Sequence, residues 1–190
     1  VSGGRLPTCL TLHPVCNGCQ IGLDKELYMR HIGVISDTHG LLRSEALDAL
    51  AGSEVIIHAG DVGDSEILER LAEVAPVHAV RGNTDYGPFG QSLPVSEVVS
   101  LGPEGSDAGG PLAYVLHDLE ELDLDAGEAG MRVVIYGHSH RPAIEEQGGV
   151  LYFNPGAAGH RRFSLPVTVG RLTIDDDGNV TAEILDLGQV

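Results

Sequence analysis

At 190 residues and 42% hydrophobic, the chain has the length and apolar content for one substantial core. Its 28 acidic residues outweigh 11 basic ones, giving a net charge of −17 that repels polyanions and argues against duplex nucleic acid as a partner. No apolar run approaches the ~20 residues of a membrane span, and no basic-then-apolar leader opens the chain. A cytoplasmic protein without a membrane partner is therefore expected.

All three cysteines, Cys9, Cys16 and Cys19, fall near the start with His13 among them. Three thiolates and an imidazole at this spacing could hold a small zinc ion. Residues 1–28 show no periodicity, however, and Met29 immediately precedes the first apolar run. The expectation is an extension over 1–28 without order and a single domain over 29–190. That domain has no cysteine and so no disulfide framework.

From His31 onward the pattern is strand, loop, helix, repeated. Ile32-Gly33-Val34-Ile35 reads as a strand buried on both faces. Residues 43–51 place Leu47, Leu50 and Ala51 at helical spacing, and 54–59 form a second strand. Residues 65–74 form a helix with Ile67, Leu68, Leu71 and Ala72 on one face and Ser65 as its N-cap. Pro76 ends that helix, and Val77–Val80 is the third strand. These βαβ units predict parallel strands.

The second half changes character. Val95–Leu101 and Leu112–Leu116 read as strands around a mobile Gly/Pro/Ser loop, 102–111. The acidic stretch 118–128 has leucines consistent with a short helix, and Val133–Tyr136 is another buried strand. In the tail, Val167 and Val169 give way to Leu172 and Ile174, as if the register changed near Gly170. Val180, Ala182 and Ile184 then return across a turn at 175–179. That acidic turn lacks the remainder of an EF-hand loop and reads as solvated. The expected fold is α/β: two packed mixed β-sheets flanked by helices, an αββα sandwich.

Short polar clusters follow these strands: Asp37-Thr38-His39, Gly60-Asp61, Gly82-Asn83-Thr84-Asp85, His117 and Gly137-His138-Ser139-His140. Strand side chains alternate with period two, so Asp37 with His39, and His138 with His140, should each point the same way. Ligands bind beyond the carboxyl ends of strands in open α/β sheets. No packing need explains so many Asp, Asn and His residues leaving strand ends, and together they read as a metal site.

The series Asp37-x-His39, Gly60-Asp61, Gly82-Asn83-x-Asp85, His117, Gly137-His138-x-His140 resembles the calcineurin-like metallophosphoesterase superfamily. "GVISDTHG", "RGNTD" and "NPGA" (154–157) are similar to its small phosphodiesterases of the YfcE type. The resemblance spans about residues 30–187. It implies that Asp37, His39 and His140 hold one divalent ion, that Asn83, His117 and His138 hold a second, and that Asp61 bridges them. The implied cofactor is two ions, manganese first, with iron, nickel or zinc as alternatives. The implied chemistry is in-line attack on a phosphodiester by a metal-bridging hydroxide. Asp61, Asn83 and Asp85 are the implied catalytic residues, with Asp85 orienting a neighbour. His58 is either a support for the site or a hydrogen-bonded core histidine. Arg81 could meet phosphate or a surface carboxylate, and His31, His78 and His160 carry no motif.

Many superfamily members have histidine where this chain has Thr84, whose hydroxyl is no general acid near neutral pH. Losing a proton donor costs ~10²–10⁴ in rate where the leaving group needs one, so a small phosphodiester is the expected substrate over an alkyl monoester. A scaffold role, as in the retromer subunit of this fold, is the alternative from another class. A homo-oligomer is left open.

Overall fold

Three strands, β1 (Arg30–Ile35), β2 (Val55–His58) and β3 (Val77–Ala79), run parallel, joined through helices α1 (Ser44–Leu50) and α2 (Ser65–Ala72). The computed structural model describes residues 29–102, 109–162 and 164–188. The cysteine segment, the extension over 1–28 and residues 103–108 of the loop expected to be mobile lie outside the described residues. Helix α3 (Gly87–Ser92) leads into a second sheet of β4 (Ser96–Ser100), β5 (Leu112–Leu116), β6 (Val133–Ile135), β7 (Ala143–Gln147) and β8 (Val150–Asn154). Strands β9 (Thr168–Ile174) and β10 (Val180–Asp186) then return to the first sheet. The strand orders are β10-β9-β1-β2-β3 and β4-β5-β6-β8-β7. Each sheet is mixed: its parallel strands are the ones that end at the polar clusters.

Apolar residues on both faces of β1 and β2 have separate uses. Val34 and Ile57, with Leu172 of β9, meet Val115, Ile135 and Phe153 across the inter-sheet core. On the opposite face Ile35 and Ile56 pack against Ala46 and Leu50 of α1 and Ile67 and Leu71 of α2. Burying one such aliphatic side chain contributes about 1.5–3 kcal/mol, so the sandwich holds the two sets of strand ends rigidly together. Among the described residues no helix is long and apolar enough to cross a membrane.

Three local expectations change, and one hairpin is new. The tail has no register break. β9 pairs continuously through Gly170 with both β1 and β10, and because it is buried on both sides, Val169 and Leu172 serve opposite cores. A Cβ on Gly170 would run into the Phe153 ring. The stretch 118–128 holds only a 3-10 turn, Leu119–Glu121. The carboxylates of Asp118 and Asp125 accept from the amides of Glu120 and Glu128, local bonds that compete with a helix. The outer face of the second sheet is therefore covered by loop residues such as Ala126 and Met131. Helix α2 is capped by Asp64, not Ser65: the Asp64 carboxylate accepts from Glu66 N at 2.9 Å. The hairpin of β7 and β8, unforeseen, turns on Gly148 and Gly149, both at positive φ as a two-residue hairpin loop requires.

Candidate metal centre

The chain leaves β1, β2, β3, β5 and β6 along one edge of the sandwich, and each exit carries a predicted ligand. Backbone bonds tie these exits together: Asp37 N donates to Gly60 O (3.0 Å), His39 N to Asp61 O (2.9 Å) and Gly137 N to His117 O (2.9 Å). Asp37 and His39, and His138 and His140, do point inward together, but not through strand alternation. Asp37 (φ 55°), His39 (47°), Asp61 (55°), His138 (65°) and His140 (55°) all adopt the left-handed region, and they are the only described non-glycine residues to do so. Such a conformation costs of the order of 1–3 kcal/mol at each residue and persists where the surroundings enforce it. Gly60 (φ 93°) is needed for close approach as well, since a Cβ there would lie 2.6 Å from His117 Nδ1.

The inward atoms form two adjoining nests. In one, His39 Nε2 and His140 Nε2 face each other at 3.3 Å, with Asp37 Oδ1 3.7 and 3.2 Å away. In the other, Asn83 Oδ1 lies 3.0 Å from His117 Nε2 and 2.9 Å from His138 Nδ1. Asp61 Oδ2 sits between the nests, 3.8 Å from His39 Nε2 and 3.4 Å from His117 Nε2. All seven predicted ligands are thus brought together.

His117 Nδ1–H donates to Ala59 O at 2.8 Å, which aims the other nitrogen inward. Burial pushes the Asp37 carboxyl up to about 6, against the pull of the His117 charge and the Ser36 hydroxyl. Burial works against ionised Asp61 too, yet bonds from His117 and from Thr84 N (2.8 Å) hold it well below the usual carboxylate range. Burial also lowers His39, and lowers His140 to about 4 with help from the Arg162 charge. His117 resists burial and is raised by its bond to Asp61.

These donors fit a cation. Asp37 Oδ1 is buried and accepts no hydrogen bond. Carboxylate, carboxamide and imidazole atoms converge, and burial disfavours the charged form of both His39 and His140. A divalent ion of borderline softness satisfies that arrangement. Asp37, His39 and His140 lie within 4.8 Å of one another, as do Asp37, Asp61 and His117.

Asp85 bonds backbone amides of the loops that carry the ligands. Its carboxylate accepts from Gly63 N (2.8 Å), Gly82 N (2.9 Å) and Val62 N (3.2 Å), pinning the Asp61 loop to the Asn83 loop. Asn154 has a comparable task, its Nδ2 donating to Gly137 O at 2.7 Å. Thr38 spends its hydroxyl proton on Val62 O (2.9 Å), so His58 Nε2–H must donate to Thr38 Oγ1, also at 2.9 Å. His58 is thereby both a core residue and a support for the loop between Asp37 and His39. His31 and His78 bond Thr173 and Glu97 away from the site, and His160 is exposed.

Complete burial lowers His58 to about 4 from 6.5. With the folded value below the unfolded one, its contribution to stability is present above pH 6.5 and is lost as pH falls towards 4, by ~3 kcal/mol. His58→Gln keeps a donor for Thr38 without titrating. Its unfolding free energy in urea should therefore fall less than the wild type's between pH 7 and pH 4, and an equal fall would contradict this account.

Arg162 has no role in the sequence-based expectation, yet its Nη2 donates to His39 Nε2 at 3.2 Å. The available signal was the adjacent pair Arg161–Arg162 just past "NPGA", in a chain with only 11 basic residues.

Residues 29–177 match the model of the calcineurin-like phosphoesterase superfamily domain. A protein of Methanocaldococcus jannaschii named "Probable metallophosphoesterase" is 36% identical over 151 residues, 76% of each chain. "Phosphodiesterase YfcE" of Escherichia coli is 29% identical over 168 residues, covering 74% of this chain and 85% of its own. The zinc complex of Vps29 from Entamoeba histolytica superposes with a TM-score of 0.61 at 23% identity, covering 83% of this chain and 99% of its own, a likeness of fold. With the family model spanning most of the chain and the strand-end residues converging as they do, the chain belongs to the calcineurin-like phosphoesterase superfamily.

Proposed function

We propose that the chain is a metal-dependent phosphodiesterase acting on a small diester. The observation that carries this reading is the convergence of seven ligand-type side chains, five of them on left-handed backbone, at one edge of the sandwich. Asp37, His39 and His140 would hold one divalent ion, Asn83, His117 and His138 another, and Asp61 would serve both. Manganese is the first candidate. Bound ions of this kind supply a water that is nucleophilic near neutral pH and neutralise charge on phosphoryl oxygens.

The chain's own residues do the rest. Asp61 accepts from Thr84 N and lies well below the usual carboxylate range, so it offers negative charge to a cation. Asp85 and Asn154 fix the loops that present Asn83 and His138. Thr84 stands beside His39, its Oγ1 3.4 Å from Nδ1, and cannot protonate a departing alkoxide. That favours diesters over alkyl monoesters, in keeping with the name of the Escherichia coli relative. The net charge of −17 favours a small substrate over a nucleic-acid duplex.

The test is to load the purified protein with manganese, count bound metal and assay a panel of diesters and monoesters. Turnover should require metal and should favour diesters. Well under one equivalent of metal, with no turnover on adding manganese, would turn the reading to a binding scaffold.

A further inference from the structure

We infer that the hollow lined by Arg81 and Tyr86 is a nucleobase site, so that the diester taken by the metal centre is one carried by a nucleoside. The inference deepens the phosphodiesterase reading and rests on it. The hollow holds about 290 Å³ and shares a wall, Asn83, with the candidate metal centre, while Arg81, Tyr86 and Gln91 line it beyond that wall. Pockets for drug-sized ligands run from ~300 to 1,000 Å³, so this one suits a single ring system joined to a group at the metals.

At 80% exposure Tyr86 is the most exposed large apolar side chain among the described residues, although the backbone on either side of it is fixed. Asp85, just before it, is buried and accepts from three backbone amides. Gly87, just after it, takes φ 72° and opens α3. A Cβ on Gly90 would run into the Asp85 carbonyl, so the helix lies directly on this turn. The other aromatic of the segment, Phe89, packs against the helix-side core, and Tyr86 is left in water. A ring held out on rigid backbone loses little freedom on meeting a flat partner, which suits tyrosine to be a stacking platform.

The other walls favour a base over a plain alkyl group. Arg81 is anchored through its backbone, its N donating to Pro94 O at 2.8 Å. The Arg30 guanidinium pairs with Glu54, whereas that of Arg81 enters no ion pair among the described residues. A guanidinium stacks on planar rings and donates to their edges, and the Gln91 amide both donates and accepts. Base edges present both kinds of group, and every base has a face to stack. A plain alkyl group has neither. A quaternary ammonium could also sit on a tyrosine ring, but the Arg81 charge repels it. A single diester adds one negative charge, so it meets far less of the repulsion that the net charge of −17 sets against a duplex.

Two ligands with the same phosphate separate the base from the phosphate: adenosine 5′-monophosphate and methyl phosphate, titrated calorimetrically into manganese-loaded wild type, Tyr86→Ala, Tyr86→Phe and Arg81→Gln. Wild type should bind the nucleotide at least tenfold more tightly than methyl phosphate. Tyr86→Ala should lose about tenfold or more of the nucleotide affinity, the scale of one base stacked on an aromatic ring, and keep methyl phosphate within twofold. Tyr86→Phe should bind both like wild type, and Arg81→Gln should weaken the nucleotide while sparing methyl phosphate. Equal affinity of wild type for the two ligands would overturn the inference, as would a Tyr86→Ala protein that weakens both alike. Adenosine, which needs no metal, should shift the Tyr86 ring resonances of the metal-free protein, and shifts centred elsewhere would count against the site. Wild type that prefers the nucleotide through Tyr86 yet cleaves no diester would sink the phosphodiesterase reading and leave the base site standing. Cleavage of simple dialkyl diesters with no preference for the nucleotide would do the reverse.

Discussion

Asp61→Ala is expected to lower metal-dependent diester hydrolysis by ~10³-fold or more, the scale of losing a central electrostatic contact in a catalytic site, and to reduce bound metal. The reason is positional. Asp61 Oδ2 lies 3.8 Å from His39 Nε2 on one side and 3.4 Å from His117 Nε2 on the other, so one carboxylate lies between the two nests. Its Oδ1 is committed separately, accepting from Thr84 N. Asp61→Asn is the companion variant: it can keep the Thr84 bond and the loop shape while removing the negative charge. Both should lose metal and turnover together, as read by elemental analysis and by assay with added manganese. Full metal content with activity within tenfold of wild type would take Asp61 out of the shared position.

Thr84→His should change which esters are cleaved, raising the ratio of alkyl monoester to diester turnover by ~10²-fold. The backbone at 84 is held by Asp61, so a side chain there projects beside His39 from a half-buried position. The comparison is of kcat/KM for one alkyl monoester and one diester in wild type and variant. An unchanged ratio would show that substrate preference is set elsewhere in the site.

Much of this was legible in the chain because it rests on short-range chemistry. The βαβ units follow from apolar runs such as Ile32–Ile35, and the strand-end Asp, Asn and His residues have no use in packing. What could not be read depends on tertiary surroundings. Val169 and Leu172 look out of phase until β9 is seen to serve two cores. The stretch 118–128 has helical spacing, but its aspartates bond their own backbone instead. "GPFGQS" contains two glycines and a proline, yet it forms α3 with Pro88 in the first turn, where its missing N–H is harmless. The inward aim of Asp37 and His39 was foreseen for the wrong reason, since left-handed backbone, not the pleat, produces it. The contact of Arg162 with His39 spans 123 residues of sequence, which no local pattern encodes.

The left-handed residues also mean that the site can be found without a substrate. Most substitutions in a folded protein weaken it, but glycine adopts positive φ without the penalty that His or Asp incurs. His138 is exposed and sits at φ 65°, so His138→Gly should raise the melting temperature of metal-free protein while abolishing function. A fall in melting temperature would count against this. By the same reasoning, each of these five positions holds a side chain where glycine would fold at lower cost.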